Sequence, residues 1–234
     1  MNKTILNHKY IEQEITTNDK KTDVRYRWSH GATDKHMGDG IVVYSMMSFF
    51  KPTISVCLGS GGGYIPRIMW KCVSDLNEEG FNTDDSRVIL VDAVNGVNGH
   101  PDWTDEDSFY RNNFLSEWLH TTTEEAYYEY FVKRDMKIDL LWIDADHTLK
   151  GVKKDFELYS EIMSDNGIIM IHDTDEKYVD NFIETKEHED YDLSGPSEFI
   201  ETLDSDKFEI LNLFNYGIEK DFPSSTGITI VRKK

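Results

Sequence analysis

Residues 53–64 read Thr-Ile-Ser-Val-Cys-Leu-Gly-Ser-Gly-Gly-Gly-Tyr. The residues before the first glycine form a short, largely apolar run, which suits a buried strand. Gly59 to Gly63 then interrupts regular structure, and Tyr64–Leu76 carries a helical pattern. Strand, glycine turn and helix in that order open an α/β unit. Glycines there admit positive φ and let backbone approach a ligand, while the helix start offers free N–H groups to an anion or carboxylate. A glycine turn also serves as a plain connection, so its weight depends on what the chain places beside it.

Three further strands follow from the same reading. Arg87–Val91 leads into Asp92, Ile138–Ile143 into Asp144, and Ile168–Ile171 into His172-Asp173. Each has a continuous apolar centre rather than strict alternation, the mark of a strand covered on both faces. Helices are predicted at Asp39–Phe50 (a buried one, stopped by Pro52), from Thr121–Glu125 to about Arg134, over Gly151–Met163 and over Ser197–Leu203. The Gly151 helix is amphipathic through Val152, Phe156, Tyr159 and Ile162, with Asn166-Gly167 as its stop and turn. Ala93–Asp135 is aromatic-rich and hides any third strand, and Asp175–Asp192 reads as a charged surface helix and loop. Phe208–Phe214 and Gly227–Val231 are late strands with no helical pattern between them, hence an antiparallel pair at the sheet edge. The expected class is α/β: an open, mostly parallel sheet with helices on both faces.

The chain has 234 residues, 25 basic and 44 acidic, for a net charge of −19. Such a surface repels phosphate backbones, so nucleic acid is not an expected partner. Two cysteines, Cys57 and Cys72, form no disulfide framework. The polar N-terminus lacks the apolar stretch of a signal peptide, and no apolar run is long enough for a membrane span. A cytoplasmic protein is the expectation, with residues 1–36 as an arm or cap and 37–234 as one domain. The arm could act as a lid or in a homodimer.

In open α/β sheets ligands bind beyond the carboxyl ends of the strands. Four strand ends here carry suggestive groups: Gly59–Gly63, Asp92, Asp144 with Asp146-His147, and His172-Asp173. Asp92 could accept hydrogen bonds from ribose hydroxyls, although a solvated strand-end Asp is common. Carboxylates and imidazoles on adjacent strand ends could hold Mg²⁺ or another divalent cation. A cation there could acidify a substrate hydroxyl, and a histidine beside it could take the proton. Asp146 equally suits a helix cap.

At these residues the chain resembles the class I S-adenosylmethionine-dependent methyltransferases. The resemblance rests on Ile54–Tyr64, Val88–Asp92, Ile138-Asp-Leu-Leu-Trp-Ile-Asp-Ala-Asp-His147, and Gly151–Asp155 through Gly167-Ile-Ile-Met-Ile-His-Asp173. It is similar in particular to methyltransferase family 24, which includes metal-dependent O-methyltransferases of small molecules, and covers about Met37 to Lys234. The resemblance implies a Rossmann-like, seven-stranded sheet whose last strand is antiparallel. It implies S-adenosylmethionine held by Met37, Gly38, Gly59, Ser60, Gly61, Gly63, Asp92 and Asp144. By comparison with catechol O-methyltransferase, Asp144, His172 and Asp173 would be metal ligands, and His147 stands where a lysine base is found. Cys57 stands where the family usually has an acid, and His172 where a carboxylate is usual.

The function these features imply is methyl transfer from S-adenosylmethionine to a hydroxyl of a small-molecule acceptor, with Asp144 and His147 catalytic. Trp103, Tyr110, Phe114, Trp118, Trp142 and Tyr64 are candidate pocket walls, although aromatics are more often core. A glycine turn with Asp92 also suits NAD and an oxidoreductase, and the acid missing at Cys57 suits a non-catalytic S-adenosylmethionine-binding protein.

Overall fold

The computed structural model describes residues 38–59, 64–81, 85–93, 117–176, 194–214 and 226–234. Helix α1 spans Asp39–Phe50 and is followed by β1, Ile54–Leu58. Helix α2 (Tyr64–Glu78) and β2 (Arg87–Val91) come next, then the short β3, Glu117–Leu119. Helix α3, Thr123–Ala126, continues as a wider π turn over Tyr127–Phe131 and a tight 3₁₀ turn to Arg134. Strand β4 (Ile138–Ile143), α4 (Leu149–Ser160), β5 (Met163–His172), α5 (Gly195–Glu201), β6 (Phe208–Leu213) and β7 (Ile228–Lys233) complete the order.

The strands form one seven-stranded sheet in the order β3-β2-β1-β4-β5-β7-β6. Strands β1 to β5 are parallel, and β7 runs antiparallel to both β5 and β6. Apolar strand runs are explained by two cores, one on each face. Cys57, Leu90, Trp142 and Met170 point to the side covered by Val43 and Met47 of α1 and Ile68, Met69 and Cys72 of α2. Val56, Leu58, Ile89, Leu141, Ile143 and Ile171 point the other way, against Phe131, Val152, Phe156, Tyr159 and Phe199. Successive strand residues alternate faces, and both faces are dry, so the run reads as continuous.

Local chemistry explains the helix starts. The Thr122 side chain accepts from Glu125 N–H at 3.2 Å, and Thr148 from Gly151 N–H at 3.0 Å, each satisfying a donor that the first helical turn leaves free. Helix α1 ends on Lys51 in the left-handed region, its N–H bonded to the Met47 carbonyl at 2.7 Å.

Three expectations are corrected. Helix α1 is buried along one face only: Phe49 is 77% exposed and Ile41 48%. Helix α4 ends at Ser160, and Asn166-Gly167 lies inside β5 instead of turning the chain into it. Strand β5 starts early because Met163 pairs with Ile138 ahead of a register shift, and Ser164 Oγ donates to Asp139 Oδ1 at 2.7 Å. The third strand, unread in the sequence, is Glu117–Leu119. Most of the charged Asp175–Asp192 stretch lies outside the described residues.

Candidate active site

Three backbone hydrogen bonds bring the strand ends to one rim. Gly59 N–H donates to the Val91 carbonyl at 2.9 Å, Asp92 N–H to Leu119 at 3.1 Å, and Asp144 N–H to Leu58 at 2.9 Å. The residues leaving β1, β2 and β4 are therefore fixed side by side, and β5 delivers His172 and Asp173 beside Asp144. Gly59 has φ +81°, and a β-carbon on it would collide with the Asp144 carbonyl. Only glycine fits where β1 and β4 part.

Asp144, His147 and Asp173 converge, with one ligand atom of each lying within 4.8 Å of the other two. His147 Nε2 lies 3.2 Å from Asp144 Oδ1 and 2.8 Å from Asp173 Oδ2. Burial pulls the His147 imidazole down, but the hydrogen bonds and charges of the two carboxylates outweigh it and push it up to about 10. Two carboxylate oxygens and one imidazole nitrogen make a donor set that suits a divalent cation.

His172 stands behind this trio and is 1% exposed. Its Nδ1 lies 3.2 Å from both Asp144 Oδ1 and Asp173 Oδ1, and its Nε2 lies 2.9 Å from Asp39 Oδ2 and 3.1 Å from Thr226 Oγ1. The ring rests against Trp142, centroids 5.2 Å apart. Burial works against its proton, but the surrounding carboxylates raise it well above the ordinary histidine range. Asp173 has φ +56°, uncommon for a residue with a side chain. It is steadied by Thr226, whose hydroxyl donates to Asp173 Oδ1, and by Thr174 and Asp175, whose N–H groups donate to Gly227 and Thr226 at 3.3 and 3.0 Å. Gly227 has φ +98°, and a β-carbon there would meet the Asp175 backbone nitrogen, so β7 can begin this close to the rim only with glycine.

Of the residues singled out in the sequence, Gly38, Gly59, Asp92, Asp144, His147, His172 and Asp173 are described, and Met37, Ser60, Gly61 and Gly63 lie outside the described residues. Gly59, Asp92, Asp144, His147, His172 and Asp173 all lie at or just past the carboxyl ends of their strands. Gly38 precedes α1 with φ +50°. Asp146 does not cap the following helix, whose cap is Thr148; its carboxylate accepts from Thr148 N–H at 3.0 Å in the turn ahead of it. Cys57 is a core residue, its thiol donating to the Gly59 carbonyl at 3.1 Å and pushed well up by burial. Trp142 is core, Tyr64 and Trp118 are part-buried beside it, and Trp103, Tyr110 and Phe114 lie outside the described residues. Nothing local in the Asp39 or Thr226 segments signals their contacts with His172 on β5.

Among the described residues, no helix is long and apolar enough to cross a membrane. The strand order with its reversed β7, and a rim of glycine, carboxylates and imidazoles, define a class I methyltransferase architecture. A family model described as a methyltransferase domain matches residues 56–174, just over half of the chain, and the chain belongs to that family. No curated protein sequence matches it significantly. Among solved structures, the O-methyltransferase from Bacillus cereus in complex with SAH is similar over 97% of this chain and 96% of its own, at TM-score 0.63 and 14% identity. The O-methyltransferase TomG from Streptomyces achromogenes, involved in tomaymycin synthesis and solved with SAM, is similar over 84% and 80%, at TM-score 0.58 and 10% identity. The SAH-bound methyltransferase PaMTH1 from Podospora anserina follows at TM-score 0.54, 16% identity, 84% and 78%. At these identities the likeness carries the fold.

Proposed function

We propose that the protein transfers a methyl group from S-adenosylmethionine to a hydroxyl oxygen of a small-molecule acceptor. The observation that carries this reading is the shared rim, where Gly59, Asp92 and Asp144 are stitched by neighbouring backbone bonds and Asp173 joins them from β5. The residues fit the donor: the Asp92 carboxylate stands past β2, one strand from Gly59, where ribose hydroxyls can bond to it. When bound, S-adenosylmethionine supplies an electrophilic methyl carbon whose bond to sulfur breaks as the acceptor oxygen bonds to it, leaving S-adenosylhomocysteine.

The chain's own part is alignment and deprotonation. Asp144 and Asp173 would hold a divalent cation such as Mg²⁺. That cation would polarise the acceptor hydroxyl and absorb the carboxylates' charge. His147 Nε2, 2.8 Å from Asp173 Oδ2, would accept the acceptor's proton. His172, with oxygens against both nitrogens, orients the carboxylates.

Titration calorimetry with S-adenosylhomocysteine tests the donor site. Wild type binds and Asp92→Ala binds at least about 10-fold more weakly, the loss of a charge-assisted bond. Absence of binding by wild type, or binding of NADH in its place, overturns the reading. Transfer of a labelled methyl group onto a panel of phenols, sugars and other hydroxylated compounds identifies the acceptor.

A further inference from the structure

Asp39 and His172 are 133 residues apart in sequence, yet their side chains meet at 2.9 Å, each 1% exposed. Asp39 is the first residue of α1, and its other oxygen, Oδ1, is buried with no hydrogen-bond partner among the described residues. A buried carboxylate with one orphaned oxygen is costly, so a generic core position would not favour one. What it gains is the far nitrogen of the imidazole whose near nitrogen reaches both Asp144 and Asp173. Four oxygen-bearing groups thus surround one ring: Asp39 and Thr226 on Nε2, Asp144 and Asp173 on Nδ1. Thr226 closes the circuit by donating to Asp173.

We propose that Asp39 and His172 are positioning residues, a buried carboxylate–imidazole strut that ties the first turn of α1 to the rim carboxylates Asp144 and Asp173 and fixes their direction. The proposal deepens the methyl-transfer reading and rests on it for what the rim carboxylates do. Carboxylate oxygens face the ring at both ends, Asp39 at Nε2 and Asp144 and Asp173 at Nδ1. If Asp39 is removed, the ring can rotate or tilt off Trp142, and both rim carboxylates lose a common anchor. Outer groups that orient metal- or substrate-binding side chains are typically worth 10–100-fold in affinity or activity.

The test compares Asp39→Ala, Asp39→Asn and His172→Gln in the full chain. Asparagine keeps an acceptor for Nε2, so it recovers what alanine loses. Three readouts are used: Mn²⁺ affinity by electron paramagnetic resonance, imidazole N–H signals by proton NMR, and kcat against KM for the acceptor. Expected for Asp39→Ala are a loss of about 10-fold or more in Mn²⁺ affinity and in kcat, and disappearance of the downfield imidazole N–H signal that His172→Gln also removes. Asp39→Asn is expected to retain that signal and to stay within about 3-fold of wild type in Mn²⁺ affinity, since its amide oxygen still accepts. Affinity for S-adenosylhomocysteine stays near the wild-type value in all three. A folded Asp39→Ala with wild-type Mn²⁺ affinity and an unchanged N–H signal overturns the strut. So does an Asp39→Asn as impaired as Asp39→Ala. If wild type binds Mn²⁺ and shows the signal but neither binds S-adenosylhomocysteine nor transfers methyl groups, the methyl-transfer reading fails and the strut stands.

Discussion

The carbonyl of Asp144 occupies the space that a β-carbon on Gly59 would need. One strand end thereby constrains the other: Gly59, leaving β1, lies against the backbone of Asp144 and Ala145, which leads to His147.

Gly59→Ala meets both the clash and the cost of φ +81°. A loss of about 2–3 kcal/mol in stability is expected, with backbone rather than a flexible side chain in the way. Denaturant unfolding reads the stability, and calorimetry reads a parallel loss of S-adenosylhomocysteine binding. Wild-type values for both would show that the turn has room to move.

His147→Ala is expected to lower turnover by about 10²–10⁴-fold, the range for a removed general base. Affinity for S-adenosylhomocysteine should stay within a few-fold of wild type. If Mn²⁺ affinity falls by the same factor as turnover, His147 serves as a ligand and the base lies elsewhere.

The same residue sets a pH dependence of stability. His147 rises from 6.5 to about 10 in the folded chain. Its contribution is complete below pH 6.5 and is lost as pH climbs toward 10. Thermal melts of protein without added metal should fall across that window, and His147→Gln should flatten the fall.

Asp155 gives the opposite sign of shift for a carboxylate. Burial, the dominant cause, raises it from 3.8 to about 6, against the hydrogen bond from Thr123 Oγ1 at 2.5 Å. The folded state holds the proton more tightly than the unfolded one, so stability declines from about pH 4 to pH 6 and stays lower above. Asp155→Asn should therefore stabilise the protein at pH 8 by about 2 kcal/mol and make little difference near pH 4. Equal melting shifts at both pH values would contradict this.

Lys71 and Asp75 form an ion pair whose side chains are only 7% and 6% exposed, and Tyr44 donates to Asp75 at 2.7 Å. Lys71→Met leaves a buried carboxylate without its cation and should cost about 3 kcal/mol. Adding Asp75→Asn keeps an acceptor for Tyr44 and removes the stranded charge, so the double variant should recover at least half. Additive losses would argue against the pair's coupling.

Strands β1, β2 and β4 were legible because burial on both faces leaves a largely apolar run, broken only by Ser55 in β1 and Asp139 in β4. Strand β3 was not: Glu117, Trp118 and Leu119 are all half-buried, and three residues are too few to show a period. The start of β5 was misread because Asp165-Asn166-Gly167 has turn composition, while pairing of Met163 with Ile138 overrides it. At the rim, strand-end position made Asp92, Asp144, His147 and Asp173 visible. The contact of Asp39 with His172 was hidden, since an acidic residue at a helix start already has a local explanation.

Strand β7 begins beside Asp173 and reverses the direction of the sheet. Its partner strand β5 is translated more than fifty residues earlier, as Ile171 pairing with Thr229 shows. Ribosomal synthesis therefore produces every rim carboxylate well before the strand that steadies them. Until β7 docks, β5 keeps an open edge and Asp173 lacks Thr226, so a nascent chain carries the reactive groups without the frame that aims them. The frame that steadies Asp173 thus comes from a part of the chain synthesised long after the carboxylate itself.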